Sequence, residues 1–141
     1  MVEDNADSRS LLALVLGRSG YDIAEAANGL DAIAQVRAIH PDLIFMDLGL
    51  PGMTGDEATA CLKADESTRH IPVVVNTAFH RDSVQVGRAI AAGAAQILHK
   101  PTPLKVFQEV AHRFLSADSV LTGASASHKP LDFKLSSVSP D

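Results

Sequence analysis

Asp42-Leu43-Ile44-Phe45-Met46-Asp47-Leu48-Gly49-Leu50-Pro51-Gly52 decides the fold. The apolar run from Leu43 to Met46 reads as a buried strand, and the Gly and Pro residues that follow mark the turn where it stops. Asp47 therefore closes a strand at the rim of a sheet, where it is expected to face solvent. In a doubly wound α/β sheet, ligands bind in the crevice beyond the carboxyl ends of the strands, so position alone nominates Asp47 as a reactive carboxylate.

Working outward, short runs rich in Val, Ile and Leu recur at Tyr21 to Ala24, Val73 to Val75 and Gln96 to Leu98, with Met1-Val2 as the remnant of another. Between them lie stretches with helical spacing: Leu11, Leu12, Val15, Leu16; Leu30, Ile33, Val36; Ala58, Cys61, Leu62; Val86, Ala89, Ile90; and Leu104, Phe107, Val110, Phe114. Each helix should turn one apolar stripe to a sheet. Five βα units in alternation predict an α/β fold with a parallel sheet, right-handed crossovers and helices on both faces. No internal repeat interrupts the pattern.

Composition narrows the class. The 141 residues, 46% apolar and 21% charged, suit one globular domain followed by a tail. We expect the domain at residues 1–116 and a flexible tail or linker at 117–141, where Ser, Ala, Gly and Asp dominate through Ser127; a short docking peptide around Leu131, Phe133 and Leu135 is the sharper reading of that segment. A net charge of -5 argues against a nucleic-acid surface, which needs a concentrated basic face. No apolar run reaches membrane-spanning length and the first residues do not resemble a signal peptide, so a cytoplasmic protein is expected. Cys61 stands alone and is read as a helix-packing residue. Asp42, Asp56, Asp65, Glu66 and Asp82 are read as solvated acids, and the six scattered histidines as surface residues.

The chemistry comes from the strand ends. Glu3 and Asp4 close the first strand, Asp47 the third, Thr77 the fourth and Lys100 the fifth, so residues distant in sequence meet in one crevice. Three carboxylates held together repel one another unless a cation neutralises them. Mg²⁺ suits such a set, because it prefers oxygen ligands in octahedral geometry and shares its shell with phosphate oxygens. Lys100 offers a point charge and Thr77 a hydroxyl donor to the same anion, for which a phosphoryl group is the best match. A competing reading has Glu3 and Asp4 capping the first helix together with Asn5 and Asp7.

Glu3-Asp4-Asn5, Met46-Asp47 with Pro51-Gly52 and Gly55, Val75-Asn76-Thr77-Ala78, Ala92-Gly93-Ala94 and Lys100-Pro101 together resemble the receiver domains of two-component response regulators, over roughly residues 1–116. The resemblance implies a flavodoxin-like sheet of five strands in the order 2-1-3-4-5. It implies that Asp47 is the phosphoacceptor, that Asp4 ligates Mg²⁺ with Glu3 assisting, and that the metal also meets Asp47 and the Gly49 backbone carbonyl. Thr77 and Lys100 would contact the acyl phosphate, and the Lys100-Pro101 peptide would be cis. The implied activity is a phosphoacceptor switch, not an enzyme with an external substrate, though able to lose its phosphoryl group by hydrolysis. Its partners would be a histidine kinase or histidine phosphotransfer protein and a downstream protein target, with a homodimer through the fourth helix, fifth strand and fifth helix allowed.

The match is not complete. Only Met1 and Val2 precede the acidic pair, where the family has a longer central strand, and Ile97 stands where the family often has a switching Tyr or Phe. Gly49 and Phe79 flank the phosphoryl position. Two other readings compete: a receiver module cut from a hybrid kinase or larger regulator, and a phosphohydrolase with Asp47 as nucleophile. The latter needs a second acid two residues beyond the nucleophile, and Gly49 stands there.

Overall fold

A computed structural model describes the backbone of residues 1–122 and 134–135, and side chains through Ser116. The elements, in chain order, are α1 (Ala6–Arg18), β1 (Asp22–Ile23), α2 (Gly29–Ile39), β2 (Ile44–Met46), α3 (Gly55–Ala64), β3 (Val73–Thr77), α4 (Val84–Ala92), β4 (Gln96–His99), α5 (Leu104–Thr122) and β5 (Lys134–Leu135). The helices begin where short polar side chains satisfy free backbone N–H groups. Asn5, Asn28 and Ser83 accept from the N–H groups of Ser8, Asp31 and Val86, at 2.9, 2.9 and 3.2 Å. At the start of α3 the Glu57 carboxylate accepts instead from both the N–H and the hydroxyl of Thr54. Gly93, with φ 111°, ends α4 in a left-handed conformation that costs a glycine little.

β2, β3 and β4 form a parallel sheet in that spatial order. Alternation along the strands sends side chains to opposite faces. Leu43, Phe45, Val74 and Leu98 pack with Leu12 and Leu16 of α1 and with Phe107, Val110 and Leu115 of α5. Ile44, Met46, Val73 and Val75 pack with Val36 of α2, Leu62 of α3 and Val86 of α4. Helices thus cover both faces, and Phe45 meets Phe107 edge to face with ring centres 5.3 Å apart.

The expected five-stranded sheet is not continuous. Met1-Val2 forms no ladder: Val2 makes single parallel bridges to Ala26 on one side and Met46 on the other. The segment expected as the second strand, Tyr21 to Ala24, is a strand only at Asp22–Ile23, and it pairs with Lys134–Leu135. The bridges still hold Met1-Val2 between Ala24-Ala26 and β2, because Val2 N–H donates to Phe45 O at 2.8 Å and Ala26 N–H to Met1 O at 2.8 Å.

Other expectations also need correction. Leu11, Leu30 and Ile90, assigned to buried stripes, are exposed, Leu30 at 64%. Cys61 is exposed on α3 and does not pack. Asp56, expected to be solvated, is only 3% exposed, and its Oδ1 has no hydrogen-bond partner. The histidines at 40, 70, 80, 99 and 112 are exposed as expected; His128, and the docking-peptide residues Leu131 and Phe133, lie outside the described residues. α5 itself extends through Thr122. Among the described residues, no helix is long and apolar enough to cross a membrane.

Candidate functional site

Four chain segments meet at the carboxyl ends of the strands. Asp47 follows β2 directly, and its N–H donates to Val2 O at 3.0 Å, so the bridge that replaces the first strand also fixes the acid. Gly55, at the first turn of α3, lies against the Asp47 backbone: a Cβ there would stand 2.8 Å from the Asp47 carbonyl carbon and from Leu48 Cα. No other residue allows α3 to start so close to the acid. Lys100 follows β4, and its N–H donates to Thr77 O at 2.8 Å; the Lys100-Pro101 peptide is cis.

Glu3, Asp4 and Asp47 each present a carboxylate oxygen, and these oxygens lie within 4.8 Å of one another. The Lys100 ammonium joins two of them, donating to Glu3 Oε1 at 2.7 Å and to Asp47 Oδ2 at 3.2 Å. Asn5 N–H donates to Glu3 Oε2 at 3.1 Å and Gly49 N–H to Asp47 Oδ1 at 3.2 Å. Asp4 is exposed. Asp47, expected to face solvent, is instead only 7% exposed, sheltered beneath the lysine.

One ammonium among three carboxylates leaves the cluster anionic. Burial raises the Glu3 carboxyl above its ordinary value, only partly opposed by the hydrogen bond from Lys100. Burial pulls the Lys100 ammonium down, but the Glu3 hydrogen bond and the Asp47 charge outweigh it and hold it above the ordinary lysine value. A hard divalent cation fits this set, since every donor is an oxygen and the charge left over is negative.

Thr77 is fully buried, and its Oγ1 accepts from Phe79 N–H at 3.0 Å, which leaves the hydroxyl proton free to donate. Asp47, Gly49, Thr77, Ala78, Phe79 and Lys100 line a cavity of about 320 Å³ above the acid. A side chain at Gly49 would meet the Phe79 ring at 3.8 Å, so both residues shape the mouth. The capping alternative for Glu3 and Asp4 fails, because Asn5 performs the capping.

The structure thus assembles Glu3, Asp4, Asp47, Gly49, Thr77 and Lys100 at one rim. It also brings in residues that the sequence reading passed over. Thr102 donates to Asn76 Oδ1 at 2.7 Å, tying the segment after Lys100 to β3. Arg9 donates to Glu3 O at 2.7 Å. The signal for Arg9 was present, since it lies three and seven residues before Leu12 and Leu16, on the buried face of α1.

The family model described as "Response regulator receiver domain" matches residues 1–112. The chain belongs to the response regulator receiver family. Among relatives, this receiver is 37% identical over 115 residues to the "Polar-differentiation response regulator DivK" of Brucella ovis, covering 82% of this chain and 93% of that one. The solved receiver domain of a signal transduction histidine kinase from Syntrophus aciditrophicus superposes with a TM-score of 0.76 at 31% identity, covering 82% of this chain and 87% of the other. The receiver domain of a sensor histidine kinase from Pseudomonas aeruginosa, solved with a magnesium ion coordinated in its active-site cleft, has a TM-score of 0.74 at 28% identity, covering 82% and 93%. The receiver is a phosphoacceptor switch of a two-component system, with the flavodoxin-like α/β fold of its neighbours.

Proposed function

We propose that Asp47 accepts a phosphoryl group in an Mg²⁺-dependent reaction. The observation that carries this reading is the convergence of the Glu3, Asp4 and Asp47 carboxylates around one point, with Lys100 bridging two of them. Glu3, Asp4, Asp47 and the Gly49 carbonyl would hold the ion, which when bound supplies positive charge against the equatorial phosphoryl oxygens.

Asp47 is the nucleophile. A carboxylate that attacks as the nucleophile has no proton to give up, so the step needs no general base. An Asp47 oxygen forms a bond to phosphorus as the bond from phosphorus to the donor breaks, and the donor leaves with its electron pair. The donor is a phosphohistidine of a kinase or phosphotransfer protein, or a small acyl phosphate. Lys100 is close enough to follow the charge from carboxylate to phosphoryl oxygen, and the free proton of Thr77 points the same chemistry at a second oxygen. The product is a switch: Thr77 and Lys100, engaged by the phosphoryl group, favour one of two conformations and so control a downstream protein. Water reaching the acyl phosphate past Gly49 and Phe79 would return the domain to its resting form. Residues 1–116 form the switching domain, with 117–141 as a tail or linker, and the site of action is the cytoplasm, as a monomer or as a homodimer.

Incubation with Mg²⁺ and acetyl phosphate, followed by intact-mass spectrometry, is expected to yield a singly phosphorylated protein, and Asp47→Asn none. A wild type that takes no phosphoryl group, or an Asp47→Asn variant that takes as much, overturns the assignment.

A further inference from the structure

Arg9 is the one buried cationic side chain among the described residues, 4% exposed, one turn into α1. Its backbone N–H makes the ordinary helical bond to Asn5 O at 3.0 Å, while its Nη1 donates to Glu3 O at 2.7 Å, so the side chain holds the start of the Glu3-Asp4-Asn5 turn whose end the helix already holds. Its Nε lies 3.4 Å from Glu25 Oε1, and that nitrogen has no hydrogen bond. The arrangement is expensive as packing. An apolar side chain of similar volume would fill the same space without burying a charge and leaving a donor unmatched. What the guanidinium adds is its bond to the Glu3 carbonyl, the group that precedes Asp4 in the chain.

We propose that Arg9 is a positioning residue for the divalent-cation site, holding the peptide between Glu3 and Asp4 so that both carboxylates are set before the ion arrives, with Glu25 holding Arg9. The proposal rests on the reading of the acid cluster as that site. Three carboxylates without an ion repel one another, and the turn that carries two of them would open unless it were held. Glu3 is already fastened through its side chain by Asn5 N–H and Lys100 and through its own N–H by Ala26 O, but without Arg9 the Glu3 carbonyl would keep its freedom to turn. Arg9 removes that freedom from below, and its own charge is matched by Glu25 and not spent on the ligands. A clamp of this kind acts on cation affinity more than on the fold.

The test compares wild type, Arg9→Met, Arg9→Lys and Glu25→Gln in the full chain, by calorimetric titration with Mg²⁺, by urea unfolding, and by amide hydrogen exchange at Asp4 and Asn5 without metal. Arg9→Met is expected to weaken Mg²⁺ binding about tenfold, the scale of lost support to metal ligands, and to speed exchange at Asp4 and Asn5. Arg9→Lys, which keeps charge and one donor, is expected to recover most of that affinity; Glu25→Gln should lose affinity by a few fold with an unchanged urea midpoint. If Arg9→Met does not fold, Glu25→Gln decides: wild-type affinity and wild-type exchange there overturn the proposal. A wild type that binds Mg²⁺, with Arg9→Met and Glu25→Gln binding it equally well, overturns the role of Arg9 alone. A wild type that binds no Mg²⁺ overturns the site reading and this proposal with it.

Discussion

Asp56 shows how one residue can oppose the pattern around it. It occupies the second position of α3, where a carboxylate gains about 0.3–1 kcal/mol from the helix dipole. It is also buried, with an oxygen that meets no donor, and a buried unsatisfied group costs about 1–3 kcal/mol. The cost exceeds the gain, so Asp56→Leu is expected to stabilise the domain by about 1 kcal/mol. Urea unfolding at unchanged slope is the measurement, and a lower midpoint in the variant would show that Asp56 contributes something these contacts do not contain. Thr59 on the same helix is buried as well, but its hydroxyl donates to Gly55 O at 2.8 Å and carries no such penalty. The spacing of apolar residues revealed α3, yet nothing in that spacing separates a buried Asp56 from an exposed one.

At the scale of elements, the weak point is the segment at the centre of the sheet. Met1 to Glu3 hold their neighbours through single bridges and a few hydrogen bonds, although Asp47 hangs from Val2 O. The Met1 ammonium is buried against Ala24 O, at 3.0 Å, and burial lowers it well below its ordinary value of 8.0, with Glu25 opposing. A group whose folded value is lowered this way withdraws stability as pH falls below 8.0. Adding two or three apolar residues ahead of Met1 would extend the ladder and move the charge outward. The extended protein is expected to unfold at a higher urea concentration, with the difference growing from pH 9 to pH 6; equal midpoints across that range would refute it.

Taken whole, the molecule carries a charge of -5 and concentrates part of it in one cleft. The Glu3 carboxyl is raised above 4.5, so the stability it contributes is full below that value and lost as pH rises through its folded value. Carboxylates held this close repel one another, a cost that a cation can offset. Lys100, raised above 10.5, contributes stability that persists until pH rises through its own folded value. Mg²⁺ at one hundred times its pH 7 Kd is expected to stabilise the protein by about 2.7 kcal/mol at pH 7, and the same concentration by much less at pH 4, where protons compete for the raised Glu3 carboxylate. Urea midpoints with and without Mg²⁺ at several pH values would check this. A Mg²⁺ effect of equal size at both ends would exclude Glu3 from the site.

The sequence by itself determined the class of fold and which residues stand at the strand ends. Period-two and period-3.6 patterns are local properties, and the residues that close each strand are consecutive with them, so Asp47, Thr77 and Lys100 could be read without coordinates. The tertiary structure decided everything that depends on which backbones lie side by side. It reduced the first strand to the Val2 bridges and joined Asp22–Ile23 to Lys134–Leu135, because strand ladders need partners distant in the chain. It turned Leu30 and Cys61 outward and Asp56 inward, since burial depends on what covers a helix and not only on its own period. And it set Arg9 beneath Glu3, where a cation on the apolar face of α1 acquired a carbonyl to hold.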